Sequence, residues 1–167
     1  MKDSHLWQIP KVKLSYENPV PPDNRLKITS SIDAEKILRA NWSEDLELCE
    51  EFYVLLLNSH SQALGCIHHS KGGINSTNLD PRLIFAAAVT ALATGIILAH
   101  NHPSGNPKPS EADIALTYQF QQSGDLLQIR VFDHLILTSY GYYSFADDEM
   151  LFPSSKLINP TSCRMYQ

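Results

Sequence analysis

The feature that most constrains the fold is a pair of unbroken apolar runs, each about as long as a β-strand. One begins at Phe52 and reads FYVLLLN, and the other begins at Gly95 and reads GIILAH. Short apolar runs rich in Val, Ile, Leu and aromatic residues, bounded by polar turn residues, are typical of buried strands. The sequence therefore predicts two strands in the interior of a sheet.

Three further segments have the composition of strands. They are ALGCIHHS from Ala63, LQIRVFDHLILT from Leu127 and YYSFA from Tyr142. The first forms a hairpin with FYVLLLN across the turn SHSQ, and the other two form a closing hairpin across Tyr140-Gly141.

Apolar spacing and capping residues predict three helices. They run from Ser31 to about Glu50, from Asp80 to about Leu92 and from Ser110 to about Gln122. In the first helix either Ser31 or Asp33 is available as the cap, and a break near Asn41 is an alternative. Because helices and strands alternate without a repeat, the predicted class is α/β with a mixed sheet flanked by helices.

The domain organisation follows from the distribution of prolines. Residues 1–30 contain four prolines and are predicted to form an extended arm, residues 31–149 form the domain, and residues 150–167 form a loosely attached tail. A possible short edge strand lies within the arm at about 6–14.

Composition excludes several classes of protein. The chain has 167 residues, of which 43% are hydrophobic, and it has no run of the roughly 18 apolar residues that a membrane helix needs. Three cysteines without close pairing argue against a disulfide framework, so we expect a cytoplasmic protein with no membrane contact. The net charge of −5, without a cluster of Lys and Arg, gives nucleic-acid binding no electrostatic support.

The chemistry is concentrated in HNHPSGNPKPSEAD, which follows the second apolar run. Residues two apart in a strand point to the same face, so His100 and His102 can present two imidazoles to one point. Asp113, in the first turn of the next helix, is the candidate third ligand. A catalytic zinc site usually takes three such ligands and leaves a fourth position open.

A second interpretation of the same residues is helix capping alone. Ser110 and Asp113 have the spacing of a capping box, and histidines are common in polar loops. Capping does not explain two histidines on one face at the end of a buried strand. The pattern therefore favours a metal site, with Ser110 both capping the helix and facing the site.

The spacing of these residues also resembles the JAMM (MPN+) zinc metallopeptidase signature, in which His-x-His is followed after seven residues by Ser-x-x-Asp. More closely, AHNHPSGNPKPSEADIALT resembles the RadC family, JAMM-domain proteins long labelled as DNA repair proteins. The similarity extends from about residue 31 to 145. It implies a JAB/MPN architecture, which is cytidine deaminase-like, and zinc held by His100, His102 and Asp113.

The resemblance also implies a catalytic pair. A JAMM site needs a glutamate from an earlier strand as general base on the zinc-bound water. In the family pattern this residue lies two before the Phe, which selects Glu50, and strand alternation sends Glu51 to the other face. Glu51→Gln is therefore expected to have almost no effect on hydrolysis. Ser110 would donate a hydrogen bond to the oxyanion of a tetrahedral intermediate.

Other polar residues leave alternatives open. The pair Asp133-His134 lies in an apolar strand and either supports a metal ligand or forms a hydrogen-bonded core pair. The pair His68-His69 is predicted to lie on a strand surface. The loop GGINSTN either lines a substrate cleft or only turns the chain.

These features lead to three hypotheses of different classes. The leading one is a zinc-dependent hydrolase that cleaves an amide bond of a peptide or protein substrate. The alternative is a DNA repair or recombination factor, motivated only by the family's label. The third is a non-catalytic scaffold, although scaffolds with this fold typically lack the ligands retained here.

Overall fold

The computed structural model describes residues 13, 15–43, 45–71 and 79–151. In chain order, the elements are a 3₁₀ helix (Pro22–Asn24), α1 (Ser31–Asn41), β1 (Glu51–Leu57), β2 (Ala63–Lys71), α2 (Pro81–Thr90), β3 (Gly95–Asn101), α3 (Glu111–Leu127), β4 (Arg130–Thr138) and β5 (Gly141–Ser144). The strands form one sheet in the order β2-β1-β3-β4-β5. Of the four pairs of neighbouring strands in this sheet, β3–β4 is parallel and the other three are antiparallel. This mixed sheet, with its helices, confirms the predicted α/β class.

The two unbroken apolar runs form the adjacent strands β1 and β3. Every residue of both strands is buried, as expected for strands covered on both faces. In the antiparallel β1–β3 ladder Phe52 lies opposite His100, so their side chains share one face of the sheet.

Helices cover both faces of the sheet. On one face, α2 and α3 pack through Ile84, Phe85 and Phe120 against the apolar side chains that alternate along β1 and β3. On the other face, α1 packs through Ala34 and Leu38. The chain thus has three layers, and the face under α2 and α3 is the one that carries His100.

The first helix stops at the break near Asn41 that the sequence left as an alternative and does not continue to Glu50. It ends at Asn41, and Ser30, not Ser31 or Asp33, is its N-cap, with a hydroxyl that accepts a hydrogen bond from the Asp33 amide. The segment after α1 is not helical at its described residues, 42–43 and 45–50. Its carbonyls at Leu46 and Cys49 accept hydrogen bonds from a distant side-chain amide, so they are not available to an α-helix.

The third helix is longer than predicted and continues through Gly124 to Leu127. A Cβ at Gly124 would lie 2.3 Å from the carbonyl oxygen of Ile129, so glycine permits the chain to return closely against the helix. Gln128 then ends the helix with a left-handed backbone. This glycine serves close packing and does not break the helix.

Parts of the predicted arm, loop and tail lie outside the described residues: 1–12, the loop GGINSTN at 72–78, and 152–167. Within the arm, the Tyr16 hydroxyl donates to the carbonyl of Leu64, and the Ile28 amide donates to the carbonyl of Ser61. Among the described residues, no helix combines the length and the apolar character required to cross a membrane.

Candidate metal centre

Two histidine rings meet at the carboxyl end of β3. His100 is its penultimate residue and His102 follows its last, and their Nε2 atoms lie 3.0 Å apart. Phe52 stacks on the His100 ring with a centroid distance of 6.1 Å, which contributes to a fixed ring orientation. The two rings therefore present nitrogen atoms to a common point.

Asp113 completes the group from the first turn of α3. Its Oδ1 lies 3.1 Å from Nε2 of His100, and its Oδ2 lies 3.5 Å from Nε2 of His102. The loop that brings α3 back to β3 contains Gly105 with φ of 76°, a left-handed conformation that suits glycine. Ligand atoms of all three residues lie within 4.8 Å of one another.

Ser110 holds Asp113 in this position. The Ser110 amide and hydroxyl both donate to Oδ2 of Asp113, each at 2.7 Å, and the Asp113 amide donates to the Ser110 hydroxyl at 3.2 Å. This is a complete capping box at the start of α3. Because both donors act on Oδ2, Oδ1 is the oxygen oriented towards His100.

The tautomer of His102 follows from its other ring nitrogen. Nδ1 lies 2.8 Å from the carbonyl oxygen of Asn106, and a carbonyl can only accept. Nδ1 of His102 therefore carries the proton in the neutral ring. Its Nε2 is left with a lone pair directed into the site.

The tautomer of His100 is set by a longer chain of hydrogen bonds. The Thr117 hydroxyl donates its one proton to the carbonyl of Asp113 at 2.6 Å, so it must accept from Nδ1 of His134, also at 2.6 Å. Nε2 of His134 is then free to accept, at 2.9 Å, from Nδ1 of His100. His100 also presents a lone pair on Nε2 to the site.

The neutral state of His134 is consistent with its surroundings. The ring is fully buried, and this burial, with the neighbouring charge of His100, holds the pKa of His134 well below its ordinary value. Phe145 stacks on the ring with a centroid distance of 5.0 Å. His134 thus acts as an uncharged hydrogen-bond relay between Thr117 and His100.

This donor set fits a metal ion. Two nitrogen lone pairs and a carboxylate face one another at 3.0, 3.1 and 3.5 Å, an arrangement that requires positive charge between them. Ligand atoms at zinc-like bond lengths around a tetrahedral ion lie about 3.3 Å apart. The separations therefore match a three-ligand site.

The Asp113 carboxylate also favours a proton on the His102 ring. A hydrogen bond to Asp113 raises the pKa of His102, although burial opposes the shift. Burial alone would raise the pKa of Asp113, but hydrogen bonds from His100, His102 and Ser110 hold it well below its ordinary value. The site is thus organised around an ionised carboxylate.

The two candidate bases lie in different environments. Glu50 immediately precedes β1 and is half-buried. It lies two residues before Phe52, the β1 partner of His100, so continued strand alternation directs it to the face of His100. The Glu51 carboxylate is completely buried and accepts hydrogen bonds from the Ser43 hydroxyl. Its Oε2 also lies 3.3 Å from Nε2 of His68.

The pair Asp133-His134 combines the two alternatives that the sequence left open. His134 supports a candidate ligand, whereas Asp133 accepts hydrogen bonds from the Ser144 hydroxyl and the Ala146 amide and so stabilises the chain after β5. His68 is exposed on β2, which confirms the predicted strand-surface position, and its ring stacks on Tyr53.

Sequence reasoning missed Thr117 altogether. A signal was present, because Thr117 follows Asp113 by one helical turn and so lies on the same face of α3. Its pairing with His134 depends on how β4 lies beside β3, which the sequence alone does not specify.

Comparisons with known proteins agree with this geometry. A family model described as a RadC-like JAB domain matches residues 28–150. A UPF0758 protein of Flavobacterium johnsoniae is 44% identical over 122 residues, covering 73% of this chain and 52% of the relative. A UPF0758 protein of Porphyromonas gingivalis is 50% identical over 103 residues, which cover 61% of this chain and 45% of the relative. A third, SH1266 of Staphylococcus haemolyticus, is 37% identical over 126 residues, covering 75% and 54%. The chain spans about half the length of these relatives.

Proposed function

Because the chain belongs to the RadC-like JAB domain family, we propose that it is a zinc-dependent hydrolase that cleaves an amide bond of a peptide or protein. One observation carries the proposal: both histidines are hydrogen-bonded so that Nε2 is their metal-binding atom, and both Nε2 atoms face Asp113. Two nitrogens and one carboxylate oxygen form a ligand set typical of catalytic zinc.

The proposed chemistry divides between the ion and the chain. A divalent ion in a three-ligand site lowers the pKa of a bound water and polarises a substrate carbonyl. Glu50 accepts the proton of the attacking water and returns it to the leaving amine, because it is the half-buried carboxylate that strand alternation directs to the face of His100.

Ser110 has two roles in this proposal. It orients Asp113 through the capping box, and as an exposed residue beside the site it can donate to the developing oxyanion. Its single hydroxyl proton lies on Oδ2 of Asp113, so donation to substrate requires rotation of the hydroxyl. The Ser110 amide continues to hold Oδ2 when the hydroxyl turns away.

Metal content is the first test. We expect about one zinc per chain by elemental analysis of the purified protein, and loss of that zinc in the His100→Ala, His102→Ala double variant. Full zinc occupancy in a folded double variant would place the metal elsewhere in the chain.

The base is tested with a panel of peptide, isopeptide and nucleic-acid substrates. Glu50→Gln should retain zinc and lose at least about 100-fold in hydrolysis, because the amide cannot accept the proton. Glu111→Gln makes the same charge change at an exposed position of α3 and should behave as wild type. Activity that survives Glu50→Gln, or that a chelator does not quench, would refute the mechanism.

A further inference from the structure

Asn101, between the two candidate ligands, is completely buried and makes three hydrogen bonds through its side chain. Adjacent residues of a strand point to opposite faces, so its amide lies on the face away from the metal centre. Oδ1 accepts from the Glu51 amide at 2.7 Å, and Nδ2 donates to the carbonyls of Leu46 and Cys49 at 2.7 and 2.8 Å.

These bonds hold the backbone on both sides of Glu50. The peptide group before Glu50 supplies the Cys49 carbonyl and the peptide group after it supplies the Glu51 amide, so one side chain holds both. The regular β1–β3 ladder ends at the pair Phe52 and His100, two residues short of Glu50. Asn101 therefore extends the attachment between the two segments to the residue that carries the proposed base.

The chemistry of the primary amide suits this task. It offers two N–H donors and one carbonyl acceptor, and the three partners are two carbonyls and one amide. Aspartate has the same shape but cannot donate, and alanine can neither donate nor accept. The three bonds therefore attach the segment 46–51 to the backbone of Asn101, which lies between the two candidate ligands.

We infer that Asn101 is the positioning residue for Glu50: it holds the base at a set distance from His100 and His102. This inference rests on the proposed function, because a position for Glu50 matters to catalysis only if Glu50 is the base. Displacement of a catalytic group by about 1 Å can cost about 100-fold in rate, so loss of the clamp should lower kcat.

The test uses the full chain loaded with Co²⁺, which needs no substrate. The visible spectrum of Co²⁺ in such a site changes with pH as its bound water ionises, and a nearby carboxylate raises the midpoint because it disfavours a second negative charge. Glu50→Gln should lower the midpoint. Asn101→Ala and Asn101→Leu, neither of which adds a charge, should lower it by a smaller amount, with Co²⁺ still bound.

Ser43→Ala is the matched control. It removes a hydroxyl that donates to Glu51, in the same region but on the face away from the metal, and should leave the midpoint unchanged. With any substrate that the wild type cleaves, the Asn101 variants should lose about 10- to 100-fold in kcat with KM unchanged. In the Glu50→Gln background, Asn101→Ala should have little further effect.

The outcomes separate the two proposals. If Glu50→Gln shifts the midpoint and neither Asn101 variant does, the inference is wrong while the base stands. If Glu50→Gln has no effect, or Co²⁺ does not bind, the proposed function fails and the inference with it. If Ser43→Ala shifts the midpoint as much as Asn101→Ala, or if neither Asn101 variant folds, Asn101 serves the fold alone and the inference is rejected.

Discussion

Replacement of His134 by leucine tests whether the buried hydrogen-bond chain behind His100 determines metal affinity. In the wild type, Nε2 of His134 accepts the Nδ1 proton of His100 at 2.9 Å, and the His100 ring is only 1% exposed. Leucine fills part of the same space without an acceptor. A metal on Nε2 of His100 then leaves a buried N–H without its partner.

The size of the effect follows from that lost partner. A buried donor without an acceptor costs about 1–3 kcal/mol. The metal-free protein avoids this cost, because the His100 proton can move to Nε2, where Oδ1 of Asp113 lies 3.1 Å away and accepts it. The cost therefore falls on the metal-bound state, and we expect zinc affinity to weaken roughly 5- to 150-fold.

Competition with a chromogenic zinc chelator measures this affinity. Thr117→Val should weaken binding less, because it removes the acceptor that orients His134 but leaves the imidazole in place. Asp133→Asn is the matched control, since the buried Asp133 carboxylate accepts hydrogen bonds from the backbone amides of His134 and Ala146 and from the Ser144 hydroxyl, all away from the His134 ring nitrogens. A folded His134→Leu protein with wild-type zinc affinity would refute the relay.

Three further predictions address stability, pH and DNA. Glu51→Gln should lower the free energy of unfolding in urea by about 1.5–3 kcal/mol, because a buried carboxylate loses a charge-assisted bond from Ser43; an unchanged midpoint would contradict this. The pKa of His102 is raised above its usual value of about 6.5. The protonated ring therefore contributes its whole stabilisation of the metal-free protein below about pH 6.5, and this stabilisation is lost as the pH rises through the raised pKa. Zinc affinity, measured by chelator competition from pH 5.5 to 8, should rise over the same range, and pH-independent affinity would count against the assignment. Short duplex and single-stranded DNA should show no salt-sensitive micromolar binding to a chain of net charge −5; such binding would favour a DNA-associated role.

The expectation that Glu51→Gln has almost no effect on hydrolysis stays a prediction, but the structure adds a cost in stability. It followed from strand alternation alone, which sends Glu51 away from the metal face. The structure buries that carboxylate completely against Ser43 and brings His68 to 3.3 Å. Because these contacts come from distant segments, the sequence could indicate the face of Glu51 but not what lies on it.

The sheet was predictable for a physical reason. The runs that became β1 and β3 are apolar at every position, and only burial on both faces accommodates such runs in a strand. The helix predicted over residues 31–50 ends at Asn41, where a break was the alternative, although its apolar spacing continues beyond that residue. Trp42 and Leu46 do pack against the core, but from an irregular segment, so burial did not require a helix there.

The candidate ligands were predictable because strand and helix periodicity act over a few residues. Two histidines two apart and an aspartate in the next helical turn can be placed without knowledge of the whole fold. The hydrogen-bond partners that fix the ring tautomers come from α3 and β4, so they depend on the packing of three elements.

The pleat of β3 also explains how three consecutive residues serve two faces. His100 and His102 point to the side of α3, where Asp113 lies in the capped first turn. Asn101 points to the side of α1 and holds the segment before β1. A one-residue shift of a strand would exchange these faces and place the amide among the ligands. Since both faces of this strand end carry specific partners, its register is constrained from two sides, and we expect the candidate metal centre and the segment with the proposed base to keep a constant relative position.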